Sequence, residues 1–213
     1  MVRILVIGHS HVATIENGVR NAVHGWGNFR FPQHDVVFDF VYRGGARVGQ
    51  VLHGGREDND FADEVQRRIN VFRPHVLWLW VGDNDLRVPA RGAAEELALR
   101  IFNTAATLVA RNCSIQFAAI LQLLPRYKGA RGNVQYYNTA AAEVNARLLH
   151  LCQQTGRHLY FARANFRFPE NWRQYINNRR RFNRGGVHLN ALGLRKLMFR
   201  LRPAVVIALR FMG

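Results

Sequence analysis

Acidic residues nearly vanish from the second part of this 213-residue chain: residues 97–213 hold 2 of them against 19 basic side chains, whereas residues 1–96 hold 12 against 11. Lysine is scarce as well. Lys128 and Lys196 stand alone, so the net charge of +16 is carried by arginine, whose planar fork suits bidentate contact with phosphate or carboxylate. Such an excess fits a polyanionic partner, nucleic acid or an anionic surface, or else the solvated basic face of an ordinary enzyme. Two cysteines, Cys113 and Cys152, exclude a disulfide framework and a cysteine metal site, and fit an intracellular, reducing setting. The apolar run at 4–7 is too short for a signal h-region or a membrane span, so nothing marks secretion. Cytoplasm and nucleus are not distinguished. With 48% apolar and 21% charged residues, a disordered tail or fibre is excluded, and one domain over residues 1–213 is expected.

What is present is a rhythm. Apolar runs at 4–7, 36–42, 76–81, 115–121 and 159–162 recur every 35 to 45 residues or so, the spacing of βα units rather than hairpins. Several are almost continuously apolar, as strands covered on both faces must be. Helical stripes lie between them. Phe61, Val65, Ile69 and Phe72 follow Asp60 as N-cap and stop at Pro74. Leu97, Ile101, Ala105 and Leu108 make a second stripe, and Tyr137, Ala141, Val144, Leu148 and Leu151 a third. A last helix, capped by Asn190, buries Leu194, Leu197, Met198 and Leu201, with a kink expected at Pro203. The pattern predicts an α/β fold, a three-layer α/β/α sandwich around a five-stranded parallel sheet. In such folds ligands sit beyond the carboxyl ends of the strands.

Four segments with chemical potential fall at that edge. The first strand runs into Gly8-His9-Ser10-His11, the second into Arg43-Gly44-Gly45-Ala46, and the third into Gly82-Asp83-Asn84-Asp85. The last helix is preceded by Gly186-Val187-His188-Leu189-Asn190. A Ser between strand and helix can act as a helix cap. It can also be a nucleophile, with its hydroxyl exposed and its N–H beside a helix N-terminus.

By these blocks the chain resembles the SGNH (GDSL-like) hydrolase superfamily, from residue 4 to about residue 204. Residues 120–127, the Tyr137-Asn138 pair and residues 188–193 are similar to the SGNH-type esterase domains of animal retrotransposon open reading frames. The resemblance implies the flavodoxin-like SGNH hydrolase fold and a serine esterase acting on a small acyl or acetyl ester. Ser10 would be the nucleophile and His188 the base; an oxyanion hole would come from Ser10, Gly45 and Asn84, with no metal or organic cofactor.

Two positions depart from the family pattern. Where the family carries Asp three residues before the His, this chain has Gly185; Asp83 and Asp85 are the nearest substitutes, Asp85 being better suited to bracing its own loop. His9 stands where the family has Asp, and neither His9 nor His11 is expected to turn back on Ser10. His53, His75 and His158 have no ligand spacing, and Trp78 and Trp80 are expected in the core. An alternative reading is a catalytically impaired SGNH-fold module that binds nucleic acid or another polyanion. Its candidate contacts are Arg179, Arg180, Arg181, Arg184, Arg195 and Lys196, interleaved with Phe166, Phe168, Trp172, Tyr175 and Phe182. Loops 25–35 and 127–135 are expected to shape the substrate pocket.

Overall fold

Five strands form one sheet, each hydrogen-bonded in parallel to its neighbours in the order β2-β1-β3-β4-β5. They span Val2–Gly8 (β1), Val36–Tyr42 (β2), Val76–Trp80 (β3), Phe117–Leu121 (β4) and Leu159–Ala162 (β5). The computed structural model describes residues 1–21, 25, 27–52, 60–86, 92–126, 133–156, 158–164 and 188–212. The expected α/β/α sandwich is what is found, with strand ends moved by one or two residues.

Alternation within each strand divides the core in two. Leu5, Ile7, Leu77 and Leu79 point to one face, where α3 (Asp60–Phe72), α4 (Ala93–Arg111) and α5 (Val134–Gln154) pack. Ile4, Val6, Trp78 and Trp80 point to the other, covered by α1 (Ser10–Arg20) and α6 (Ala191–Met212). Residues 4 to 7 are all 0% exposed, which explains the unbroken apolar run of β1. Each such side chain contributes about 1.5–3 kcal/mol by leaving water.

Helix ends follow local chemistry. Arg73 takes a left-handed φ of 48° and its N–H donates to Ile69 O, ending α3 one residue before Pro74. Asp60 is the first residue of α3 rather than its cap. Asn133 caps α5 by accepting from Tyr136 N–H, and Asn190 accepts from Gly193 N–H at the start of α6. Pro203 lies inside α6.

Gly8, the last residue of β1, is set by a close approach. A Cβ built there would run into the carbonyl oxygen of Trp80 and the Val12 side chain, both part of tightly packed elements. Gly8→Ala is therefore expected to destabilise the protein by about 1–3 kcal/mol, lowering Tm by roughly 2–4 °C per kcal/mol. Thermal unfolding followed by circular dichroism measures this.

Candidate active site at the carboxyl edge of the sheet

Ser10 is the first residue of α1, immediately beyond β1, and is half-buried. Its backbone N–H is one of the donors that a helix N-terminus leaves unused. The next two segments are tied to it. Arg43 N–H donates to Gly8 O (3.1 Å), joining the loop after β2 to the end of β1. Asn84 Nδ2 donates to Ala46 O (3.1 Å), joining the loop after β3 to the loop after β2. Asp85 Oδ2 accepts from Val48 N–H (3.2 Å) and Oδ1 lies 3.9 Å from the Arg100 guanidinium, so the side chain braces the loop after β2 rather than its own. Burial is the main influence on the Asp85 carboxyl and raises its pKa.

Gly45 is exposed, in the left-handed region at φ 81°, with no atom near the place a Cβ would occupy. Only glycine holds that conformation without strain. The Asn84 amide has two N–H groups, of which the bond to Ala46 uses one. Ser10, Gly45 and Asn84 thus come together on adjacent loops.

His188 is half-buried just before α6, and its ring lies 5.3 Å from that of His11, the residue after Ser10. His188 thus lies beside the first turn of α1, and the Ser10 hydroxyl makes no hydrogen bond among the described residues. Gly185 lies outside the described residues, as do Arg179, Arg180, Arg181 and Arg184 and the aromatics interleaved with them. Arg195 is exposed and Lys196 half-buried on the second turn of α6.

A feature the sequence reading missed lies directly behind Ser10. His9, which caps α1, places Nε2 2.7 Å from Asp83 Oδ2, and both residues are buried. The Tyr137 hydroxyl donates to Asp83 Oδ1 (2.6 Å), and Arg126 Nη2 donates to the Asp83 carbonyl (2.7 Å) while its guanidinium lies 4.0 Å from the Tyr137 ring centre. Burial alone would raise the Asp83 pKa. The charge and hydrogen bond of His9, with the Tyr137 hydroxyl, outweigh it and hold the carboxyl well below the usual carboxylate range. Tyr137 is pushed well above its ordinary value, first by burial and then by the Asp83 charge, so it stays a donor. Asp83 is thereby committed to His9 and Tyr137. This departs from the expectation that it might serve His188.

His11 is also buried. Its ring stacks on Trp80 at 5.0 Å and meets His9 edge-on at 5.0 Å, and among the described residues Nδ1 has no hydrogen-bond partner. Burial, reinforced by His9, lowers its pKa to about 3, so the imidazole is neutral at ordinary pH. Asn138 and Asn145 on α5 bracket the segment after β4 with paired bonds to the backbone of Arg126 and Leu123.

Segment 25–35 does not belong to this edge. Asn28 Nδ2 donates to Val36 O, and Asp35 O accepts from Val2 N–H, which puts the segment at the amino ends of β1 and β2. A connection that leads from helix into strand must arrive there, so its expected role in shaping the pocket is withdrawn. Residues 127–132 of the second expected loop lie outside the described residues. Among the described residues no group of three or more His, Cys, Asp or Glu side chains could hold a metal, and no helix is long and apolar enough to cross a membrane.

No protein-family model matches the sequence, and no curated protein does. Solved structures do match its fold. A GDSL-like lipase from Bacteroides thetaiotaomicron superposes with a TM-score of 0.67 at 14% identity, over 96% of this chain and 87% of that one. A carbohydrate acetylesterase family member from Sinorhizobium meliloti gives 0.64 at 16% identity, over 99% and 100%. The Clostridium thermocellum family 3 carbohydrate esterase gives 0.59 at 17%, over 99% and 98%. The five-stranded parallel sheet with helices on both faces is the α/β fold of SGNH hydrolases.

Proposed function

We propose that the protein is an SGNH-type serine esterase that hydrolyses a small acyl or acetyl ester through Ser10 and His188. The observation that supports this reading is the pair of hydrogen bonds, Arg43 N–H to Gly8 O and Asn84 Nδ2 to Ala46 O, that ties together the three segments carrying Ser10, Gly45 and Asn84. The sequence blocks at 120–127, Tyr137-Asn138 and 188–193 support a relation to the retrotransposon-type members of that group. The mixed set of esterases sharing the fold fits a small ester substrate.

In the proposed reaction, His188 takes the proton of the Ser10 hydroxyl as Oγ attacks the ester carbonyl. The N–H groups of Ser10 and Gly45 and the second N–H of Asn84 stabilise the oxyanion that forms. His188 then donates its proton to the departing alcohol. Water, deprotonated by His188, releases the acid from Ser10 and restores the enzyme. Gly185 stands in place of the acid, and Asp83 is engaged by His9.

A fluorophosphonate probe should label Ser10, located by peptide mass spectrometry, and a short-chain nitrophenyl ester should be turned over. Neither labelling nor turnover in folded protein would overturn the reading. Asn84→Ala removes one oxyanion donor and should lower kcat by about 10²–10³, measured by steady-state kinetics with folding checked by circular dichroism.

A further inference from the structure

On the far side of the sheet from β2, the edge strand β5 and the second half of α6 enclose a groove of about 500 Å³. It is lined by Arg163, Arg200, Arg202 and Arg210, by Tyr160 and Phe199 and by aliphatic residues of α6, and among the described residues no carboxylate lines it. The contrast with other arginines in the fold is sharp. Arg20 pairs with Glu16, Arg67 with Glu64, Arg68 with Asp39 and Arg147 with Glu95. Among the described residues, Arg163, Arg200 and Arg210 have no carboxylate partner, although like charges gathered at one groove repel one another.

Arg202 is held differently. Its Nε donates to Phe29 O (3.3 Å) and its guanidinium lies 4.6 Å from the Phe31 ring centre, so its position is set in advance. Phe199 is 57% exposed, with the Arg200 guanidinium 6.0 Å from its ring centre. An exposed ring beside a guanidinium group offers a surface for stacking. From Phe199 to Arg210 the helix rises about 16 Å, so charge and aromatic face are laid out along a line.

The geometry points to this groove as a binding site for single-stranded nucleic acid. Arginines take the phosphates, while unpaired bases lie on Phe199 and Tyr160. Charge complementarity selects a polyanion. The aromatic rings then decide which: unpaired bases offer them faces to stack on, and lipid headgroups do not. A duplex keeps its bases paired and offers no open face to the rings. The site lies apart from Ser10 and does not depend on the proposed esterase reaction.

The test is fluorescence anisotropy of labelled 12-nucleotide oligouridylate and oligothymidylate with the full chain, from about 50 to 200 mM salt. Binding should weaken linearly on a log–log plot, by about 0.7 in slope for each phosphate contact. The variant R163A/R200A/R210A should lose about 2 from that slope. Phe199→Ala should weaken binding about 5- to 150-fold with the slope unchanged. The control variant R20A/R67A/R147A lowers net charge equally, at paired sites outside the groove, and should bind as the parent does. Four results would overturn the assignment: no binding at low salt, equal losses in groove and control variants, binding that maps to Arg179–181 with the groove variant unaffected, or capture of phosphatidylserine vesicles without oligonucleotide binding. Circular dichroism of each variant separates loss of binding from loss of fold.

Discussion

Alanine at His188 is expected to lower kcat/KM for a short-chain ester by about 10³–10⁴ or more, and Ser10→Ala by at least as much. The two changes together should cost little beyond the larger single one, because a nucleophile without its base and a base without its nucleophile lose the same step. What survives is binding by the oxyanion donors, which neither substitution touches. Ser10→Ala must abolish fluorophosphonate labelling, whereas His188→Ala should slow it. Comparable rates for all three variants and the parent, in stopped and continuous assays alike, would exclude the dyad. Ser10 is half-buried and begins a helix without supplying its cap, which His9 does, so its loss should leave the fold intact.

Acid should destabilise the protein in two stages. His11 is neutral in the fold, with a pKa near 3 against an ordinary 6.5, because it is buried and lies beside His9. Its pKa is depressed, so below about pH 6.5 the unfolded chain takes up a proton that the folded chain refuses, and stability falls from there downward. At about 1.4 kcal/mol per unit of displacement, the loss amounts to several kcal/mol by pH 4. Asp83 follows. Its carboxyl is held low against its own burial by His9 and Tyr137; the stabilisation is complete above about pH 4 and lost as pH drops further. Tm measured from pH 7 to 4.5 should decline steeply for the parent and far less for His11→Gln. His75, lowered by burial and by Arg3, adds a smaller decline to both proteins. Parallel slopes for parent and variant would refute the role of His11.

The strands were legible because burial on both faces forces an almost unbroken apolar run, and 4–7 and 76–81 show it plainly. Ser10, Gly45 and Asn84 were legible as residue types beyond strand ends that topology brings together, and His188 as part of a block ahead of the last helix. The pairing of His9 with Asp83 was not. Seventy-four positions separate them, and an Asp in a turn reads as a solvated loop residue until a buried imidazole is found against it. Tyr137 was seen as part of an apolar stripe, which it is, while its hydroxyl carries a polar contact that periodicity does not encode. Segment 25–35 carries no code in its residue types for the edge it serves; its connectivity, helix into strand, is the better guide.

The order β2-β1-β3 has one more consequence. Three of the four proposed groups follow neighbouring strands, so their spacing is inherited from the interstrand repeat of about 4.8 Å, a ruler that loop substitutions hardly alter. His188 enters from outside the sheet, on the approach to a separate helix. The proposed base can therefore be displaced without disturbing the sheet, whereas the three groups beyond β2, β1 and β3 move only with it.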